Sequence, residues 1–159
     1  MVIALTAVLI AVASGIYYVE SLIPFPLPVG RWGFSNSVVL FYAANFPMKF
    51  PLIVAAGKAI IGALLSGRIF SPPFFMGFFG SIAAAIVESA LFRLKFGYTG
   101  ASLAGSAVNN LVQMLVGAFL IKSKYIFSFL PMFLIIGSVS ALANAYIAKT
   151  FEKVWRELQ

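Results

Sequence analysis

Apolar residues run along this chain in long blocks, and the breaks between blocks fall at charges, prolines and glycines. Blocks of this length are too long for buried strands and predict helices. Six are read, at about residues 2–19, 34–46, 52–67, 73–92, 101–121 and 125–148. A loop over residues 20–33 joins the first two. It holds Pro24, Pro26 and Pro28, then Gly30, Arg31, Trp32 and Gly33. Pro47 and Pro51 divide the second block from the third. Both of these blocks are short for a bilayer, which needs about 20 helical residues. Read as one broken element they would leave five helices. Lys49, set between the two prolines, would be costly at the bilayer centre, and this favours six. Past Ala148 the chain turns charged. Phe151, Val154, Trp155 and Leu158 share one face there, the pattern of an interfacial helix.

Composition fixes the setting. Hydrophobic residues make up 62% of the 159 positions and charged residues 9%, against about 45–50% and about 25% in a soluble domain. The expected fold is therefore all-α and polytopic. Residues 1–149 form a single domain of six transmembrane helices, and residues 150–159 a short cytoplasmic amphipathic tail. Six spans use about 120 residues, which leaves no room for a nucleotide-binding domain. Ala11, Val12 and Ala13 faintly resemble a signal-peptidase site, but no basic stretch precedes them, so the first block is expected to be a retained span.

The missing residue types narrow the chemistry. The sequence has no His, Cys or Asp, and its carboxylates are Glu20, Glu88, Glu152 and Glu157. Thiolate and imidazole metal sites, Cys and His nucleophiles, and aspartate-rich magnesium motifs are excluded. No enzyme activity, cofactor or metal is expected. Net charge is +7, which in a membrane protein points to orientation and anionic lipid before nucleic acid. With six spans, the side carrying the termini holds Lys49, Arg93, Lys95, Lys149, Lys153 and Arg156. The opposite side holds Arg31, Arg68, Lys122 and Lys124, and Lys58 lies within the membrane. The positive-inside rule then places both termini in the cytoplasm, with the plasma membrane as the location. The opposite face is a basic mouth that can steer an anionic solute or simply contact headgroups.

Several positions could carry function. Ala7, Ala11 and Gly15 form a small-residue row on the first helix, and Gly137, Ala141 and Ala145 form another on the sixth. Such rows let helices approach closely in lipid. The first row is a candidate partner interface, and the second is read as internal packing. Lys58 and Glu88 lie in the membrane on antiparallel helices, and a structural ion pair between them would offset the cost of each charge. Asn109, Asn110 and Gln113 sit mid-membrane on the fifth helix, and Asn109 and Gln113 share a face. They either cross-link helices or line a polar cavity. Asn144 is a weaker candidate. The proline-stiffened loop, tipped by Arg31 and Trp32, can act as a lid or as a plain interfacial connection.

The stretch from Glu20 to Asn36, with Ile23, Pro24, Pro26, Pro28, Gly30 and Gly33, resembles the membrane family first labelled heptaprenyl diphosphate synthase component I. That family is also called the Gx transporter family. It is related to the substrate-binding S components of energy-coupling factor (ECF) transporters. Phe34 and Ser35 depart from its usual Leu-Ala. Residues 107–113, with Asn109, Asn110 and Gln113, resemble a second stretch of the pattern, and the likeness covers roughly residues 15–147. It implies a six-helix bundle with both termini inside. A small vitamin-like solute would be captured from outside, beneath the first loop. Delivery would need a transmembrane coupling subunit, met by Ala7, Ala11 and Gly15, and two cytoplasmic ATPases. Expected ligand contacts are Arg31 and Trp32 in the lid, Arg68 at the rim, and Asn109, Asn110 and Gln113 in the wall. Two alternatives stand beside this reading. One is a non-catalytic accessory protein in isoprenoid metabolism, because prenyl transfer itself needs clustered aspartates that the chain lacks. The other is a solitary ion-coupled carrier using Lys58 and Glu88.

Overall fold

In a computed structural model of the chain, residues 2–27 and 30–157 are described. Pro28 of the loop and Leu158 of the tail face lie outside them. The described residues form α1 (Val2–Leu22), α2 (Asn36–Asn45), α3 (Lys49–Leu65), α4 (Pro72–Arg93), α5 (Tyr98–Ile121) and α6 (Leu130–Glu157), with no strand. A 3-10 turn over Lys124–Phe129 leads into α6. Local chemistry explains several boundaries. Ser71 caps α4 by accepting a hydrogen bond from the Phe74 N–H at 3.3 Å, and Pro72 opens its first turn, where a proline's missing donor costs nothing. At the far end of α5, Lys122 takes a left-handed conformation with φ 54° and stops the helix.

Four helical stretches are long and apolar enough to cross a membrane: α1, α4, α5 and the run Lys124–Glu157. The expectation of six spanning helices is corrected at α2. Its 10 residues reach only about 15 Å, half the hydrocarbon. Seven of its side chains, from Ser37 to Ala43, are buried in the bundle. The 17 residues of α3 reach about 25 Å. The second passage of the chain is thus divided between irregular backbone, residues 23–27 and 30–35, and a half-length helix.

Contacts fix which helix ends lie together. Tyr42 of α2 donates to Thr6 of α1 at 3.2 Å, and Asn45 donates to Tyr98 of α5 at 3.1 Å. Phe46 and Phe41 pack against Trp155 and Phe151 of α6, each with ring centroids 6.3 Å apart. The start of α1, the end of α2, the start of α5 and the end of α6 therefore share one end, and Val2 and Glu157 lie there. Helix α6 runs unbroken through the place where a separate tail was expected. Its Phe151 and Trp155 are half-buried against α2, while Val154 is exposed. An aromatic clasp replaces the free interfacial face read from the sequence.

The two small-residue rows part company. Ala141 and Ala145 are buried, and Gly137 faces Ser106 and Asn110 of α5, so the α6 row is internal packing. Ala7 and Ala11 are exposed, and a Cβ on Gly15 would meet nothing within 4 Å. Elsewhere close approach is tight. A Cβ at Gly62 of α3 would come within 2.5 Å of the Tyr17 ring. Gly62→Val is expected to cost about 1–3 kcal/mol by overpacking, read as a lower unfolding temperature in detergent. Gly15→Ala, inside α1, should not lower that temperature, since nothing lies within 4 Å of a Cβ there.

Candidate functional site

The site begins with a problem of backbone chemistry. Helix α2 starts inside the bundle, so its first N–H groups cannot reach water. The Ser35 N–H donates to Glu20 Oε1 at 2.8 Å. A carboxylate at a helix N-terminus also meets the positive end of the helix dipole. Lys58, near the middle of α3 and wholly buried, donates to Ser35 Oγ at 3.3 Å and to Asn36 Oδ1. Asn144 Nδ2 donates to the Gly33 carbonyl at 3.0 Å. Gly33 itself has φ +82°, a conformation that glycine adopts without strain. Three helices thus grip one short stretch, residues 33–36. The Lys58–Glu88 ion pair expected from the sequence is not formed: the lysine serves the start of α2 instead, and no ion pair to Glu88 lies within 4 Å among the described residues.

Arg31 is not at the tip of a lid. Its Cζ lies 3.5 Å from the centre of the Tyr17 ring on α1, a cation–π contact. On the α4 side it lies so close to Gly77 that a Cβ there would collide with it. The guanidinium remains a cation at neutral pH. Arg68 is exposed and lines an outer crevice of about 230 Å³ together with Glu20, Ser21, Phe25 and Arg31. Arg31 also lines two inner cavities, each of about 30 Å³. It stands between the crevice and the interior.

The α5 amides divide into a tie and a wall. Ser102, Ser106 and Asn110, one turn apart, donate to the carbonyls of Ala141, Gly137 and Phe133 on α6 at 2.8, 2.9 and 2.9 Å. This ladder makes Asn110 chiefly a helix–helix link, though it also touches the cavity. Asn109 faces the other way, against Gly80 of α4, and its buried Oδ1 has no partner. Gln113 lines the second inner cavity beside Arg31, Ser81 and Asn109.

Five buried side-chain polar atoms lack any partner among the described residues: Arg31 Nη1, Trp32 Nε1, Glu88 Oε2, Asn109 Oδ1 and Asn144 Oδ1. All five belong to residues lining the same inner cavity. Phe25 and Trp32 roof it edge to face, with centroids 5.5 Å apart. At about 30 Å³ it has room for a water or two. A larger guest would have to displace the roof.

Sequence reasoning did not assign Glu20, Asn36 or Ser81 to this site, and it ranked Asn144 too low. Glu20 and Asn36 both carried the family resemblance, which was the available signal. Asn144 was placed near the inner end of a helix expected to stop at Ala148. In the structure it is mid-helix, because α6 extends to Glu157.

The family described as heptaprenyl diphosphate synthase component I matches residues 9–151. The chain belongs to that family. The match takes in most of α1, the loop and every other helix of the bundle, so all the residues of the site fall within it. No curated protein and no solved structure matches the chain.

The grip on residues 33–36 yields a measurable coupling. Lys58→Met removes one member of a buried charge set and should cost about 3–5 kcal/mol. Glu20→Gln, Lys58→Met together should cost less than the sum of the single changes by more than about 0.5 kcal/mol. Unfolding midpoints of the three variants in detergent decide it, and strict additivity would mean that the two side chains act independently.

Proposed function

We propose that this protein is the solute-capturing membrane subunit of an ATP-driven importer of the ECF type, and is not itself an enzyme. One observation carries the reading. Five buried polar atoms without partners belong to residues that line one cavity, under a loop that also borders an outer crevice. An isolated buried polar atom costs about 1–3 kcal/mol. Gathering five of them around so small a space favours a polar guest that completes their bonding. In this reading the termini are cytoplasmic in the plasma membrane, and the crevice opens outward past Arg68. The solute is small and vitamin-like. It reaches the interior as residues 23–35 move with Arg31. Helix α2 and the loop together make the second of six passes of an S-component-like bundle. The row of exposed Ala7 and Ala11 with half-buried Gly15 is the contact for a coupling subunit, which joins two cytoplasmic ATPases.

A second reading keeps the family's own description. A groove of about 360 Å³ between α4 and α5 is lined by Phe75, Phe79, Leu115, Val116, Phe119 and Leu120. A prenyl chain would fit its chemistry, and the protein would then be a non-catalytic partner of an isoprenoid enzyme.

Affinity purification from native membranes separates the two. Recovery of an ATPase pair and a retained polar small molecule is the expected result. Recovery of a prenyltransferase subunit with a bound prenyl lipid would replace the first reading by the second. Within the first, Asn109→Ala and Gln113→Ala should lower solute retention at least tenfold with little change in unfolding temperature. Asn110→Ala should do the reverse, because it removes a rung between α5 and α6.

A further inference from the structure

The inner cavity is sorted by hydrogen-bonding type, and the sorting names a ligand class. The unpartnered donors, Arg31 Nη1 and Trp32 Nε1, belong to the loop. The unpartnered acceptors, Glu88 Oε2, Asn109 Oδ1 and Asn144 Oδ1, belong to α4, α5 and α6. Glu88, Asn109 and Asn144 are each more than nine-tenths buried. A carboxyl group accepts through at least one oxygen in either protonation state. The Asn144 amide is oriented by its own bond to the Gly33 carbonyl, and its oxygen is left without a partner.

Charge sharpens the class. Arg31 and Glu88 line the same cavity, yet no ion pair joins them within 4 Å among the described residues. Opposite charges in a low-dielectric interior attract strongly, and a guest that reaches both side chains is subject to both. A purely anionic guest would answer Arg31 but add an unbalanced charge beside Glu88. A purely cationic guest would do the converse beside Arg31. A guest carrying both leaves the interior balanced.

Resting on the reading of this cavity as a solute site, we propose that its ligand is amphoteric. An anionic, acceptor-rich end meets Arg31 and Trp32 on the loop side, and a nitrogen end that donates hydrogen bonds meets Glu88, Asn109 and Asn144. The two ends are bound at once, so neither half alone suffices. The anionic end leads back toward Arg68 and the crevice, and the donor end points into the helices.

Matched probe sets test this on the purified protein in detergent. Each set holds a zwitterion, the same molecule without its amine and the same molecule without its carboxylate. A small set is β-alanine, propionate and ethylamine, and an aromatic set is tryptophan, indole-3-propionate and tryptamine. In the set that responds, the zwitterion should raise the unfolding temperature and bind at least tenfold tighter than either half. Glu88→Gln, close to isosteric, should erase the advantage of the zwitterion over the acid. Trp32→Phe should weaken the zwitterion and the acid by a similar factor. An acid that binds as tightly as its zwitterion, or an advantage that survives Glu88→Gln, overturns the amphoteric assignment and leaves the solute site standing. Silence from both sets overturns both.

Discussion

A helix that begins inside a bilayer must find partners for its first N–H groups among protein atoms alone. The start of α2 is the point on which this bundle turns. Glu20 answers the Ser35 N–H, Lys58 holds Ser35 and Asn36, and Asn144 holds the Gly33 carbonyl. These polar groups come from α1, α3 and α6, so one short stretch of loop ties together helices that are far apart in sequence. Lys58 and Glu20 would each be expensive alone in the membrane interior. They are tolerated because Ser35 and Asn36 between them engage both, Glu20 through the Ser35 N–H and Lys58 through the two side chains.

The same arrangement creates the cavity. A full-length second helix would have filled the bundle centre with side chains. A half-length helix preceded by irregular backbone fills it less evenly. Small residues on α4 and α5 complete the space. Gly77 admits Arg31, Gly80 admits Asn109, and Gly105 admits Glu88. Each glycine gives up helix propensity of about 1 kcal/mol to bring a polar side chain to the interior. Irregular backbone at depth is accepted in membrane proteins where it is buried or lines a cavity. Here it does both.

Much of this could be read from the sequence, and the part that could not has a common cause. Long apolar blocks locate α1, α4 and α5 closely, and α6 only as far as Ala148, because period and composition decide a lipid-facing helix. The shortness of the second block foretold a compromised span. The loop's prolines marked irregular backbone, and the depth of Asn109, Asn110 and Gln113 marked a polar interior. Partners were a different matter. Helical geometry puts Asn109 and Asn110 about 100° apart without saying which one meets a neighbouring carbonyl. Lys58 was matched to Glu88 because both were charges on adjacent helices. Its actual partners lie on a loop whose inward path leaves no periodic trace. Arg31 was set at the surface for the same reason.

The division between Asn109 and Asn110 shows why depth alone does not define a site. Both amides are buried and both lie at the middle of α5. Asn110 spends its donor on the Phe133 carbonyl and so belongs to the structure. Asn109 keeps an oxygen without a partner and so retains binding capacity. Asn144 does both at once, holding Gly33 with its nitrogen while its buried oxygen stays without a partner. One amide therefore joins the loop backbone to the lining of the inner cavity.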